Sequence, residues 1–308
     1  MATVVVEGLS KAYIPAGPPA LKNISFSVKA GELFGVIGPD GAGKTTLMRI
    51  LTTLLLSDSG KASVGGLDVR ADFKEIRKTI GYMPGRFSLY QDLSVEENLN
   101  FFATVFGTSV EENYHLVSDI YTQLEPFKKR LAGKLSGGMK QKLALCCALI
   151  HAPTVLFLDE PTTGVDPVAR KDFWVMLARL RDTGITIVVS TPYMDEAAQC
   201  DRIALIQKGE IIAMDTLDEI LASKGAPTYA VRGPKLFELL NALRAYPGTR
   251  YCFAFGQEHH LVFNEEDNEP AKVLAYLKDQ GHSSVSFHKI DPNIEDVFID
   301  IMHEKTDV

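Results

Sequence analysis

Residues 38–45 run Gly-Pro-Asp-Gly-Ala-Gly-Lys-Thr, an uninterrupted G-x-x-x-x-G-K-[ST] pattern. Gly38, Gly41 and Gly43 allow the backbone to curl until its N–H groups face phosphate oxygens, with Pro39, Asp40 and Ala42 completing the loop and Thr46 following it. Lys44 is spaced to reach the β- and γ-phosphates of a nucleotide, and the Thr45 hydroxyl is placed to ligate Mg²⁺. The flanks fit this chemistry. Leu33 to Ile37 is a short apolar run suited to a buried strand, and Lys44 to Leu55 reads as a helix whose N-terminus favours anions.

A second chemical group lies downstream. Val155-Leu156-Phe157-Leu158-Asp159-Glu160-Pro161 carries two carboxylates to the C-terminal end of an apolar strand, where ligands bind in open α/β sheets. Asp159 can hold Mg²⁺ and Glu160 can act as general base on an attacking water. Ser136, Gly137 and Gly138, at the start of a helix running to about Ile150, form either a second anion site or a plain serine N-cap. Thr163-Gly164-Val165-Asp166-Pro167 is a turn in which Asp166 caps a helix with Pro167 at its first position. The apolar strand Ile185 to Val189 ends in Ser190-Thr191-Pro192-Tyr193-Met194-Asp195-Glu196-Ala197.

These groups need a scaffold, and the chain is long enough to build one. Its 308 residues are 46% hydrophobic with a net charge of −7, which suits two domains. The acidic balance argues against nucleic acid as a main partner. No apolar run approaches the ~18 residues that would span a bilayer, and the first residues lack the pattern of a secretory signal. Of the four cysteines, adjacent Cys146 and Cys147 sit in a helical pattern and read as small core residues, consistent with a reducing cytoplasm.

Val4-Val5-Val6 and the alternating Ile24, Phe26 and Val28 predict strands of an antiparallel layer. Pro15, Gly17, Pro18 and Pro19 mark the loop between them. Ser94-Val-Glu-Glu97 and Ser109-Val-Glu-Glu112 are capping boxes opening helices in a mostly helical stretch, about residues 86–150. Strands are expected at Thr154 to Leu158 and Ile185 to Ser190, with a hairpin at Lys208-Gly209. After Lys224-Gly225-Ala226-Pro227 the pattern restarts. Tyr229 to Arg232, Arg250 to Phe255, His260 to Phe263 and Ser284 to Lys289 read as strands. Lys235 to Ala245, Glu269 to Gln280 and Ile294 to Met302 read as helices. That is the element order of a ferredoxin-like unit. The expected fold is therefore α/β: a P-loop NTPase core over residues 1–224 with an antiparallel layer and a helical subdomain, then an α+β extension over 228–308. His259-His260 and Glu265-Glu266-Asp267 read as solvated loop residues with no metal.

Together, the phosphate loop, Leu135-Ser136-Gly137-Gly138, the acidic strand end and the Asp turn resemble the ATP-binding subunits of ABC transporters, over residues 1 to about 224. The segment Pro292-Asn-Ile-Glu295-Asp296-Val297-Phe298-Ile299 resembles the close of such subunits in the drug-exporter branch. The resemblance implies several roles. ATP and Mg²⁺ are the cofactors, and Tyr13 stacks on adenine. Two ATPase subunits pair so that Ser136, Gly137 and Gly138 serve the partner's nucleotide. A separate membrane permease forms the transport path, which places the chain in the cytoplasm, peripheral on the inner face of the membrane.

Two positions depart from that pattern. Gly85 stands where the family has a glutamine that contacts Mg²⁺ and the attacking water; Gln91 belongs to a different part of the pattern. Pro192 stands where the family usually has histidine, and proline offers neither a side-chain donor nor a backbone N–H. The departures suggest slow hydrolysis at this subunit's own site within an asymmetric pair. A homodimer in which Thr191, Tyr193, Arg86 or water fills in is the alternative. The rival classes are ATPases of the same fold in DNA repair or translation and a nucleotide-gated scaffold with little turnover. No sustained heptads lie between Lys44 and Ser136, against the coiled coil of repair types.

Overall fold

In the computed structural model, residues 2–14, 17–223, 227–264 and 270–304 are described. Pro15, the linker residues Lys224 to Ala226 and the acidic run Glu265-Glu266-Asp267 lie outside them. The chain divides into two compact units, Met1–Leu217 and Asp218–Val308.

The first unit is built on two sheets. β1 (Ala2–Lys11) and β2 (Leu21–Lys29) pair antiparallel, and β4 (Ser59–Val64) and β5 (Leu67–Asp68) complete an antiparallel sheet of order β2-β1-β4-β5. Its inward positions alternate along β2, where Leu21, Ile24, Phe26 and Val28 are buried. The second sheet has the order β10-β9-β3-β8-β7-β6. It comprises β3 (Leu33–Ile37), β6 (Ile80–Met83), β7 (Val155–Asp159), β8 (Thr186–Thr191), β9 (Arg202–Gln207) and β10 (Glu210–Asp215). β3, β6, β7, β8 and β9 run parallel; β10 folds back antiparallel on β9. The hairpin turn is Lys208-Gly209, with φ of 48° and 80°, the left-handed pair of a two-residue turn. β3 and β7 are buried throughout, as expected of strands covered on both faces.

Parallel alignment brings several chemical groups to one edge. Ile37 pairs with Thr191, Asp159 with Ser190 and Met83 with Leu158. The ends of β3, β6, β7 and β8 therefore deliver the phosphate loop, Gly85, Asp159-Glu160 and Ser190-Thr191 to the same side of the sheet, where open α/β sheets bind ligands.

α1 (Lys44–Leu51) follows β3, and α2 (Phe73–Thr79) precedes β6. α1 is shorter than the helix expected to Leu55. Thr52 caps it, and Thr53, at φ 62°, turns the chain out of helical geometry. α3 (Val95–Val105), α4 (Val110–Tyr121) and α5 (Gly137–Leu149) form the helical region. Both capping boxes are complete: Ser94 with Glu97 and Ser109 with Glu112. Cys146 and Cys147 are buried with Leu99, Val117, Leu143 and Leu158 in one apolar cluster. α6 (Pro167–Asp182) lies between β7 and β8, and α7 (Leu217–Ser223) begins at the unit boundary.

The second unit runs β11 (Thr228–Arg232), α8 (Leu236–Ala245), β12 (Thr249–Phe255), β13 (Glu258–Phe263), α9 (Pro270–Asp279), β14 (Ser286–Ile290) and α10 (Ile294–Glu304). Its sheet is antiparallel, in the order β12-β13-β11-β14, which fits the expected β-α-β-β-α-β succession. One expectation is overturned. His259 and His260 are not solvated loop residues; each is 2% exposed within β13. The His259 ring meets the Leu236 carbonyl at 2.9 Å, and His260 Nδ1 meets Asp296 Oδ1 at 2.7 Å. Burial is tolerated because polar partners on α8 and α10 meet the rings.

Candidate functional site

The phosphate loop is shaped by crowding as much as by flexibility. A Cβ on Gly38 would lie 2.1 Å from the Ile206 carbonyl, and one on Gly43 would lie 2.4 Å from the Ala20 carbonyl. Gly43 also has φ 109°, and Gly41 has φ 78° with open space around it. Steric contact thus requires two of the glycines, and backbone angle alone the third. Ala42 ties the loop down by donating to the Pro39 carbonyl and accepting from Gly209 N–H. Asp40 is exposed at the loop's outer side.

Lys44 is 3% exposed. Its Nζ donates to the Gly38 carbonyl (2.7 Å) and the Pro39 carbonyl (3.0 Å), and pairs with Glu160 Oε1 at 3.1 Å. Thr45 Oγ1 donates to Asp159 Oδ1 at 3.2 Å. Ser190 Oγ donates to the same Asp159 oxygen at 2.7 Å and accepts from Glu160 N–H at 3.1 Å. Glu160 has φ 51°, a left-handed backbone that costs energy in a non-glycine residue and orients its carboxylate towards Lys44. A cavity of about 270 Å³ opens here, lined by Tyr13, Ala20, Gly41, Gly43, Lys44, Thr45, Thr46 and Glu160. Tyr13 stands 57% exposed at this cavity, its hydroxyl 3.1 Å from Thr46 Oγ1.

The converging Thr45 hydroxyl and Asp159 carboxylate form a hard-oxygen pair of the kind Mg²⁺ takes alongside phosphate oxygens. The negative field extends further. Burial, and then the Asp159 carboxylate, push the Tyr82 phenol up to about 12.

Other expected site residues lie apart from this cavity. Ser136 caps α5 by accepting from Met139 N–H at 3.4 Å; it and Gly137 are exposed, and neither they nor Gly138 line the cavity. Asp166 caps α6, accepting from Ala169 N–H at 3.0 Å. Gly85 sits beside the acidic strand end, where an added Cβ would lie 3.0 Å from the Asp159 carbonyl.

Around Pro192 the neighbouring side chains are already engaged. Thr191, fully buried, donates to Glu196 Oε2 and accepts from Tyr193 N–H. Glu196, 3% exposed, also accepts from Thr162 Oγ1 and Arg170 Nε. The Arg170 guanidinium lies 3.9 Å from the centre of the Tyr193 ring. Ser190, Glu196 and Arg170 had no role in the motif reading. Ser190 and Glu196 stand at or just after an apolar strand and Arg170 lies on α6, positions with no chemical signal of their own in the sequence.

Residues 21–163 match the ABC transporter domain family. The probable multidrug ABC transporter ATP-binding protein YbhF of Escherichia coli is 37% identical over 98% of this chain; the chain spans about half of that relative, 52% of its length. The Nod factor export ATP-binding protein I of Burkholderia lata is 34% identical over 91% of this chain and 90% of its own. The doxorubicin resistance ATP-binding protein DrrA of Mycobacterium tuberculosis is 36% identical over 86% and 80%. Among solved structures, cbiO1 from Clostridium perfringens, part of the ABC transporter complex cbiONQ, superposes with a TM-score of 0.64 at 28% identity, over 72% of this chain and 91% of that one. A dimeric post-hydrolysis state of the ATP-binding cassette MJ0796, bound to ADP and Pi, gives 0.63 at 26% identity over 70% and 98%. The chain belongs to the ABC transporter family, among its ATP-binding proteins.

Proposed function

We propose that this chain binds and hydrolyses ATP as the energising subunit of an exporter whose path is a separate membrane permease. The observation that carries this reading is the convergence of Lys44, Thr45 and Glu160 on one cavity that Tyr13 also lines, with Asp159 hydrogen-bonded to Thr45 beside it. Relatives named for multidrug transport, doxorubicin resistance and Nod factor export support the export assignment.

On this reading Tyr13 stacks on adenine, and the backbone of Gly38 to Thr46 cradles the phosphates. Lys44 neutralises their charge. Thr45 and Asp159 hold Mg²⁺, which when bound draws charge from the phosphate oxygens. A triphosphate that accepts from Lys44 competes with the Lys44–Glu160 pair, and the released carboxylate accepts a proton from the attacking water. Ser136, Gly137 and Gly138 contact the nucleotide of a second ATPase subunit, with Asp166 in the turn at that interface. Ser136 and Gly137 are exposed, and none of Ser136, Gly137 and Gly138 lines the chain's own cavity, which suits that role.

The permease docks at a cleft of about 340 Å³ between β6, α3 and α5, whose lining includes Leu54, Leu89, Phe102 and Phe106. Met83 and Pro84 line it and lead directly to Gly85, which connects the docking surface with the acidic strand end. No helix among the described residues is long and apolar enough to cross a membrane. The chain acts from the inner membrane face.

Its own site hydrolyses slowly. Gly85 and Pro192 remove two side-chain partners, and Thr191 and Tyr193, which could stand in, are held by Glu196 and Arg170. Loss of one charge-directed hydrogen bond in the transition state, ~1.5–3 kcal/mol, slows turnover roughly ten- to a hundredfold. The test is ATPase turnover of the isolated chain beside Gly85→Gln/Pro192→His and Glu160→Gln. A slow wild type, a faster double variant and an inactive Glu160→Gln support the reading. A wild type that is already fast and gains nothing from the double variant defeats the slow-site assignment.

A further inference from the structure

A second polar cleft lies in the helical region, outside the nucleotide cavity. It measures about 240 Å³ and is lined by Glu96 and Leu99 of α3, Glu111, Tyr114 and Tyr121 of α4, and Glu125 and Lys128 beyond α4. We propose that this cleft binds an organic cation: an ammonium group carried on an aryl or alkyl body.

Three carboxylates against the single lysine among the lining residues give the cleft a net negative charge. They do not converge on a point. Among the described residues, no three His, Cys, Asp or Glu side chains are grouped to hold a metal ion. A spread or bulky cation fits that spacing better than a bare divalent one. Tyr114, 37% exposed, and Tyr121, 7% exposed, meet edge to face with centroids 6.0 Å apart, and aromatic faces of this kind attract ammonium groups.

Tyr121 supplies a further pointer. Its side chain is more than nine-tenths buried, yet it lines the cleft and its hydroxyl makes no hydrogen bond within the protein. Burial, then the Glu96 and Glu125 carboxylates, push this phenol up to about 12, so the group is neutral and facing negative charge. The hydroxyl is not among the fully enclosed polar atoms, so its oxygen stays open beside the cleft that the ring lines, where an ammonium seated among the carboxylates would meet it. Leu99 offers the apolar body a wall.

The test is calorimetric titration of the full chain with benzylammonium chloride, with benzyl alcohol as the neutral control. Saturable binding is expected with a Kd on the order of 1 mM or tighter. Glu96→Gln/Glu125→Gln and, separately, Tyr114→Leu should each weaken it about fivefold or more. Tyr121→Phe, which preserves the packing, should weaken it measurably. Lys44→Ala should bind the cation as well as wild type, which separates this site from the nucleotide site. The proposal is overturned by no saturable binding to about 10 mM, by equal binding of benzyl alcohol, or by unchanged affinity in both Tyr121→Phe and the glutamine variant.

Discussion

Ser190 joins the two halves of the candidate site. Its hydroxyl donates to Asp159 and accepts from Glu160 N–H, and it is fully buried. Ser190→Ala should therefore cost about 1–3 kcal/mol of stability and lower ATP turnover together, read by urea unfolding and phosphate release. Unchanged values for both would refute its bridging role. His151 gives a pH-dependent prediction. Burial holds its imidazole below the ordinary value of 6.5, opposed by its contact with the Ile80 carbonyl. Above 6.5 both folded and unfolded chains carry a neutral ring. Below it the unfolded chain takes up a proton first, so stability falls as pH drops towards the folded value. His151→Leu should flatten that slope in urea unfolding between about pH 5 and 6.5. Lys44, Thr45, Asp159 and Glu160 were legible because their chemistry depends on local spacing. Ser190 was not, because its importance comes from pairing across β7 and β8. His260 was misread for a similar reason: its partner, Asp296, lies 36 residues further along the chain.

At the level of elements, the loop before α1 depends on glycines with different obligations. Gly43→Ala would place a methyl group 2.4 Å from the Ala20 carbonyl at φ 109°. It should weaken nucleotide binding and lower stability by roughly 1–3 kcal/mol, while Gly41→Ala, with open space, should fold with the smaller cost of its backbone angle alone. Melting curves with and without Mg-ATP distinguish the two. Ser94→Ala should cost about 1 kcal/mol by breaking the capping box of α3, measured by urea unfolding. Both capping boxes were legible because the signal is local. β4 was not: Ser59-Gly60-Lys61 is exposed, and only Ala62 and Val64 are buried. It becomes a strand by pairing beside β1 rather than through its own alternation. The end of α1 was missed because Leu54 and Leu55 continue an apolar pattern, while Thr53 has already left helical geometry.

For the whole molecule, the proposed function requires a nucleotide gripped by this chain and completed by another. The succession of elements in the second unit was readable from alternating apolar segments, whereas its strand order emerges only from pairing. In the proposed function Ser136 serves the nucleotide of a second subunit, a role the chain by itself does not display, since there Ser136 is a helix cap. Copurification from membranes should yield a multispanning protein, and a second ATPase chain if the pair is asymmetric. The most direct test is equilibrium binding of a fluorescent ATP analogue with Mg²⁺ to wild type and Lys44→Ala. Saturable binding is expected for wild type and a loss of about ten- to a hundredfold in the variant, from one charge-assisted contact. Equal affinity in the two proteins would contradict the proposed function.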